Sequence, residues 1–266
     1  MTKVFTKSVI FFAFLLFSAA GIAQSLLTST VLTRDYHFAA AGKNIEYTLF
    51  VPGSYNANEE TALLVLLHGL GSNPQQVINY TGIQEQAEEH GYIVVAPFGY
   101  NERGWYGTMN AAALALFSRD DVTDPDNMGE LSEQDVLNVL DIIEGEFNID
   151  SDRTYLMGHS MGGGGTYHIG MKYADKWAAL APMAPAIYSS PDDLEKIRDM
   201  PIIVVQGDQD ELVPVAIARN WVAKMAELNM THKYIEIAGG DHVSSITENP
   251  EMIAEIFQFF NDTKIK

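Results

Sequence analysis

The chain has 266 residues, with 16 lysines and arginines against 35 aspartates and glutamates, and its formal net charge is −19. So acidic a chain is a poor candidate for binding nucleic acid, whose phosphates attract lysine and arginine. It contains no cysteine, which excludes disulfide bonds and thiol chemistry.

The N-terminal segment has the features of an export signal. Lys3 and Lys7 precede an apolar run at residues 9–17, and Gly21 and Ala23 are small residues at cleavage-site positions. The run is shorter than the ~20 apolar residues that a membrane anchor needs. We therefore predict a signal peptide at 1–23, a single domain at 24–266 and a secreted or periplasmic protein with no membrane attachment after processing.

The first half of the mature chain predicts a hairpin followed by alternating strands and helices. Residues 35–52 form the hairpin, with its turn at Gly42-Lys43-Asn44. Apolar runs at 62–69 and 92–99 predict buried strands, and a helix is expected from Pro74 to Gly91. The long irregular stretch at 99–131 is of the kind that serves a function in compact domains.

The second half continues the alternation. A helix is expected from Ser132, with Ser132 and Asp135 as its capping pair. The remaining elements are strands at 153–160, 177–186, 201–207 and 233–239, and helices at 161–174, 215–229 and 250–262. Apolar strands that alternate with helices predict an α/β fold with a mostly parallel sheet and helices on both faces.

The segment Gly158-His159-Ser160-Met161-Gly162 is a G-x-S-x-G motif between a predicted strand and a predicted helix. That context predicts a nucleophile elbow, with Ser160 as the catalytic nucleophile. A phosphate-binding P-loop is excluded because no Gly-Lys-Ser/Thr follows, and the dinucleotide motif fails because its sixth position is His168.

A serine nucleophile needs a base and an acid, which follow it along the chain in folds with this elbow. His242 lies in a glycine-rich loop after the last predicted strand and is the predicted base. Asp210, in "QGDQDELVP", is the predicted acid, and Asp208 is its competitor. Asp241 is discounted as the neighbour of His242 in sequence.

The oxyanion hole is predicted to use the N–H of Met161, directly after the nucleophile, and that of Leu70 in "HGLGSNP". His68 is expected to be structural and to bond loop carbonyl groups. No cofactor and no metal is required for this chemistry.

The segments "HGLGSN", "GHSMGG", "GDQDELVP" and "GGDH", in this order, resemble the α/β-hydrolase superfamily. Together with "YTLFVPGSY" and "GYNERGWYG" they are similar to secreted feruloyl esterases, acetyl xylan esterases and polyhydroxybutyrate depolymerases. "GHSMGGGGT" also looks like bacterial cutinases. The resemblance covers residues 33–262 and implies an α/β-hydrolase fold and a serine esterase activity. The hairpin at 35–52 predicts an N-terminal antiparallel pair of strands, and no large lid is expected because only 50 residues separate Ser160 from Asp210.

Two features of the irregular stretch have competing interpretations. Trp105 and Tyr106 either bind an aromatic acyl group or sugar or pack the loop onto the body. The acidic run at 119–130 is either a solvated loop or a calcium site formed by Asp120, Asp121, Asp124 or Asp126; Met128 stands where an EF-hand has Asp or Asn.

The predicted function is a serine carboxylic-ester hydrolase acting on feruloyl, acetyl or other short or aromatic acyl esters, small or polymeric. A cutinase-like polyester hydrolase, a prolyl-oligopeptidase-type serine peptidase and a non-catalytic binding module on a hydrolase fold are the alternatives. A propeller domain is expected for the peptidase, and a missing triad member for the binding module.

Overall fold

A computed structural model describes residues 29–114, 116 and 123–263. The predicted signal peptide at 1–23 lies outside the described residues, as do Asp120 and Asp121 of the acidic run.

One sheet forms the centre of the fold. Its strands are β1 (Thr30–Phe38), β2 (Lys43–Val51), β3 (Thr61–Leu67), β4 (Ile93–Pro97), β5 (Ile149–His159), β6 (Ala179–Met183), β7 (Ile202–Gly207) and β8 (His232–Ile237). They lie in the order β1-β2-β4-β3-β5-β6-β7-β8. The pairs β1–β2 and β2–β4 are antiparallel and all other pairs are parallel, which confirms the predicted sheet and its N-terminal hairpin.

Helices cover both faces of this sheet, as predicted. They are α1 (Pro74–Val77), α2 (Ile83–His90), α3 (Ala111–Leu114), α4 (Met128–Glu146), α5 (Met161–Lys172), α6 (Val215–Glu227), α7 (Ser244–Thr247) and α8 (Pro250–Asn261). Buried residues of α4, α5 and α6 share one apolar cluster with Leu63, Val65 and Leu67 of β3. The alternate β3 residues Leu64 and Leu66 pack with α1, α2 and α8. Because β3 is buried on both sides, its sequence is a continuous apolar run.

Across residues 29–114, 116 and 123–263, no helix is both long enough and apolar enough to cross a bilayer.

The hairpin turn differs from the sequence prediction. Lys43 pairs with Phe38 and so belongs to β2, and a 3₁₀ turn at Ala39–Ala41 makes the connection. Gly42 ends this turn with a φ of 63°, a left-handed conformation that suits glycine. The turn therefore lies at 39–42 instead of 42–44.

The predicted helix from Pro74 to Gly91 is divided into α1 and α2. Gly82 separates them with a φ of 98°. A Cβ on Gly82 would lie 3.0 Å from the Cα of Pro250, at the start of α8. The break therefore allows the chain to approach the C-terminal helix closely, which local periodicity could not reveal.

The helix expected from Ser132 begins earlier, at Met128, and Ser132 and Asp135 do not cap it. Ser132 Oγ accepts a bond from the Tyr106 N–H at 3.0 Å, and Asp135 Oδ2 accepts one from the Gly99 N–H at 2.7 Å. Burial raises the pKa of Asp135 to about 6. Both side chains therefore anchor the loop after β4, which carries Trp105 and Tyr106.

Glu133 joins α4 to the end of α5 through three donors. His168 Nε2 and Lys172 Nζ lie 2.6 Å from its oxygens, and the Tyr173 hydroxyl donates at 2.7 Å. Burial alone would raise the pKa of Glu133, but the bonds from His168, Lys172 and Tyr173 outweigh it and lower the pKa to about 2.

A depressed pKa means that the Glu133 carboxylate stabilises the folded state above its unfolded pKa of about 4.5 and loses this effect as the pH falls toward about 2. We expect Glu133→Gln to lower the free energy of unfolding at pH 7 by about 2 kcal/mol, because a neutral amide replaces the charged carboxylate that accepts the three bonds. Urea titrations at pH 7 and pH 3 check this. A difference between variant and wild type that does not shrink at pH 3 would contradict the assignment.

Candidate active site

The predicted site residues follow strands that end at the same edge of the sheet. Leu70 follows β3, Ser160 follows β5, Asp210 follows β7 and His242 follows β8. All four strands run parallel. Their carboxyl ends therefore bring Leu70, Ser160 and His242 to one cleft, at the usual place of ligand sites in open α/β sheets.

Ser160 lies at a sharp turn between β5 and α5, with φ 59° and ψ −116°. This left-handed φ is strained for a residue with a Cβ. A Cβ on Gly158 would collide with the carbonyl of Gly162, and a Cβ on Gly162 would collide with that of Leu67. The two motif glycines are therefore required by close backbone approach, as the elbow prediction assumed.

Ser160, His242 and Asp210 form one hydrogen-bonded line. His242 Nε2 lies 2.8 Å from Ser160 Oγ, and His242 Nδ1 lies 2.6 Å from Asp210 Oδ2. A carboxylate only accepts, so Nδ1 carries the proton and Nε2 is left to accept from the serine hydroxyl. The arrangement can therefore move a proton from Ser160 Oγ to His242.

Four donors surround the Asp210 carboxylate. Besides His242, the Leu212 and Val213 N–H groups donate to Oδ1 at 2.9 and 2.7 Å, and Gln206 Nε2 donates to Oδ2 at 2.8 Å. These bonds fix its orientation. The sequence analysis did not identify Gln206, although a glutamine at the end of the apolar strand "PIIVVQ" was a signal for it.

The discounted residues contact other groups. Asp208 accepts from the Gly239 N–H at 2.7 Å, and Asp241 accepts from the N–H groups of Val243 and Ser245. Asp208 therefore bonds loop backbone, as is expected of the competing aspartate that does not orient His242. Asp241 also bonds loop backbone.

Met161 directly follows Ser160, and Leu70, the other predicted oxyanion donor, lies in the segment after β3. Met161 is the first residue of α5, so its N–H has no partner within the helix. A Cβ on Gly69 would lie 3.4 Å from the Ser160 Cβ, which brings the Leu70 segment against the nucleophile. In the described part of the chain, neither N–H donates to another backbone carbonyl.

His68 is buried and supports this segment. Its ring nitrogens lie 2.8 Å from the carbonyl oxygens of Gly69 and Phe98. Burial lowers its pKa, which favours the neutral ring, so one of the two nitrogens carries the proton and donates to its carbonyl oxygen, and the other does not. It does not contact Ser160 and has the structural place that the sequence predicted.

A second histidine, not identified from the sequence as a site residue, lies next to His242. His159 Nε2 is 2.8 Å from the His242 carbonyl oxygen, and His159 Nδ1 is 2.9 Å from the Tyr80 hydroxyl. Burial lowers the pKa of His159 to about 4. Its position before the nucleophile, at the end of an apolar strand, was the available signal.

The line of three side chains opens into a cleft of about 710 Å³. The lining residues are Gly69, Leu70, Gly71, Ser72, Gln76, Tyr80, Trp105, His159, Ser160, Ala186, Tyr188, Leu212, Val213, His242, Val243 and Thr247. None of these is a lysine, arginine, aspartate or glutamate. Leu70, Tyr188, Leu212 and Val243 are exposed at its mouth. The cleft is therefore apolar and uncharged, although the whole chain is strongly acidic.

The side chains of Trp105 and Tyr106 have different surroundings in the structure. Trp105 lines the cleft, with its ring 6.3 Å from that of Tyr188. Tyr106 is fully buried against Gly165, and its hydroxyl bonds the backbone N–H and carbonyl of His68. This corrects the expectation that Tyr106 contacts a ligand: its side chain holds the backbone of His68 instead.

Asp124, one of the calcium candidates, pairs with Arg103 instead. Two guanidinium nitrogens of Arg103 lie 3.0 Å from the two Asp124 oxygens, and Asn101 also donates to this carboxylate. Among the residues that the structure describes, no three His, Asp or Glu side chains are grouped as metal ligands. Asp124 therefore joins the end of the loop after β4 to Asn101 and Arg103 near its start.

Comparison with known proteins places the chain among ester hydrolases. A family model described as "Putative esterase" matches residues 39–248. The bifunctional acetylxylan esterase/xylanase XynS20E of Neocallimastix patriciarum is 30% identical over 65% of this chain and 22% of its own length. Feruloyl esterase D of Neurospora crassa is 26% identical over 64% and 53%, and S-formylglutathione hydrolase of Rattus norvegicus is 29% identical over 53% and 51%. The matches span about half, or less, of these curated relatives.

Solved structures share the fold. A thermostable esterase matches with a TM-score of 0.69 and 25% identity, over 88% of this chain and 63% of its own. The ferulic acid esterase AmCE1/Fae1A of Anaeromyces mucronatus matches with a TM-score of 0.65 over 88% and 90%; at 17% identity it is evidence for the fold alone.

Proposed function

Because the chain belongs to the Esterase family, we propose that it hydrolyses carboxylic esters through an acyl-enzyme formed on Ser160. The observation that carries this proposal is the line from Asp210 through His242 to Ser160, with distances of 2.6 and 2.8 Å, at the base of an uncharged cleft.

The reaction follows from these contacts. His242 Nε2 takes the hydroxyl proton while Ser160 Oγ attacks the ester carbonyl carbon, and the oxyanion accepts from the Leu70 and Met161 N–H groups. Asp210 stabilises the imidazolium. As the tetrahedral species collapses, His242 gives its proton to the departing alcohol. Water, deprotonated by His242, then cleaves the acyl group from Ser160.

The lining supports a substrate that is uncharged in both its acyl group and its leaving group. Feruloyl and acetyl esters carry no charge, whereas glutathione thioesters carry carboxylates that no lysine or arginine of the cleft lining would pair. The aromatic pair of Trp105 and Tyr188 supports a ring-bearing acyl group or alcohol.

The second candidate is a polyester hydrolase of the cutinase type. The observation that favours it is the exposed apolar mouth formed by Leu70, Tyr188, Leu212 and Val243, which suits an extended apolar chain. The basic and apolar residues at 1–23 support the further proposal that the enzyme is exported and acts in the periplasm or the medium.

A substrate panel tests the proposal. Methyl ferulate, p-nitrophenyl acetate, butyrate and decanoate, a polyester film, S-formylglutathione and a peptide anilide are compared by kcat/KM, with product release measured for the film. We expect the preferred neutral ester to exceed S-formylglutathione by about tenfold or more, because buried carboxylates without a partner are penalised. The peptide is expected to remain uncleaved.

A substitution at the mouth of the cleft is a second test of the substrate assignment. Tyr188→Ala is expected to raise KM for methyl ferulate severalfold and to leave p-nitrophenyl acetate almost unchanged, because acetate is too small to extend to the mouth. Preference for S-formylglutathione would overturn the substrate assignment. No turnover of any ester, with Ser160 inert to a fluorophosphonate, would favour the binding module.

A further inference from the structure

His159 lines the cleft and connects the nucleophile to the base. It is the last residue of β5 and directly precedes Ser160, and its Nε2 lies 2.8 Å from the His242 carbonyl oxygen. We propose that His159 is a positioning residue that holds the His242 main chain, and that Tyr80 acts on His242 through His159. The inference rests on the proposed function, in which His242 is the base.

The contacts determine the proton positions on His159. A carbonyl oxygen only accepts, so Nε2 must carry a proton. The ring is buried and its pKa is lowered to about 4, so near neutral pH it holds that one proton only. Nδ1 is then bare and accepts from the Tyr80 hydroxyl, 2.9 Å away. Each polar atom of this buried histidine therefore has a partner of the opposite kind.

The position of His159 explains why this bond matters for catalysis. His242 lies on the connection between β8 and α7, whereas Ser160 lies on the elbow after β5. The bond from His159 ties the His242 main chain to the residue next to Ser160, so it controls the separation of Oγ and Nε2. A displacement of about 1 Å at this point can cost on the order of a hundredfold in rate.

A neutral ring is also required electrostatically. The ring centroids of His159 and His242 are 5.1 Å apart. A positive charge on His159 would oppose the imidazolium that forms on His242 during reaction. Tyr80 and the carbonyl of His242 face the two ring nitrogens, and Asp210 acts from farther away.

Two substitutions of His159 test the proposal. His159→Leu keeps a similar volume and removes the donor, and we expect kcat to fall roughly 10- to 100-fold with KM changed less than about threefold. His159→Gln carries an amide N–H₂ near the place of Nε2 and is expected to recover most of kcat. His232→Gln, at a histidine outside the cleft that contacts the Met230 carbonyl, is the control and should match the wild type.

Tyr80→Phe completes a double-mutant cycle. Because Tyr80 acts through His159, removing its hydroxyl should lower kcat severalfold in the wild type and not further in His159→Leu. In wild-type protein, ¹⁵N–¹H spectra of the histidine rings should show His159 protonated at Nε2 and bare at Nδ1 near neutral pH. These spectra remain informative even if His159→Leu does not fold.

Several results would overturn the inference. They are an unchanged kcat in His159→Leu, a His159→Gln variant as slow as His159→Leu, an additive Tyr80→Phe effect, or a proton on Nδ1 of His159. Failure of the proposed function is distinguishable, because wild-type turnover and fluorophosphonate labelling of Ser160 report on it independently of the spectra.

Discussion

Ser160→Ala is expected to lower kcat on every accepted ester by roughly ten thousand- to a millionfold, because no other group can form the acyl-enzyme. The reaction is followed by release of p-nitrophenol and by single-turnover mass spectrometry of the acylated protein. KM should change little, since the hydroxyl is a small part of the cleft lining. Turnover that persists in this variant would show that Ser160 is not the nucleophile.

The control for this variant uses the strained backbone at the elbow. Alanine keeps a Cβ at the φ of 59°, so the stability of Ser160→Ala should stay close to that of the wild type. Ser160→Gly removes that Cβ and should be equally inactive but more stable, by about 1 kcal/mol. If Ser160→Ala is inactive with wild-type stability, and Ser160→Gly is inactive and more stable, then activity is lost because the nucleophile is absent and not because the fold is damaged.

The parts of the fold that could be predicted depend on local signals. The apolar runs of β3 and β4 are continuous because helices cover both faces, and the elbow was identified because G-x-S-x-G stands between a strand and a helix. Gly158 is required by its close approach to the Gly162 carbonyl, a contact within the motif itself. For such features, residue type and spacing are sufficient.

The features that were missed depend on contacts distant in sequence. Ser132 and Asp135 look like a capping pair, but they bond the loop after β4. Gly82 interrupts a regular helical pattern because α8 packs there. Tyr106 follows Trp105 in the sequence and was expected to share its role. Trp105 and Tyr106 have positive φ values of 56° and 49°, however, and the Tyr106 side chain is buried against the His68 backbone.

The same reason explains why the supporting residues of the site were missed. Gln206 contacts Asp210 from strand β7, His159 contacts His242 from strand β5, and Tyr188 lines the cleft from the segment after β6. None of these belongs to a spaced motif. Their roles depend on which polar atoms remain buried once the strands are adjacent, and only the folded chain determines this.

Asp210→Asn is expected to lower kcat by roughly a thousand- to ten thousandfold through the tautomer of His242. Asp210 Oδ1 accepts from the Leu212 and Val213 N–H groups, so the asparagine carbonyl oxygen will occupy that place. The amide N–H₂ then faces His242 Nδ1. That nitrogen must become the acceptor, the proton moves to Nε2, and Nε2 no longer takes the proton of Ser160.

The control lies two residues away. Asp208→Asn removes the same charge from the same loop, but the Asp208 carboxylate accepts only the Gly239 N–H among its described contacts. The kcat of this variant should therefore remain within about twofold of the wild type. In Asp210→Asn the low-field Nδ1–H resonance of His242 should disappear, while ester binding measured by KM is retained. A large loss in Asp208→Asn, or a persistent Nδ1–H signal in Asp210→Asn, would mean that Asp210 does not set the tautomer of the base.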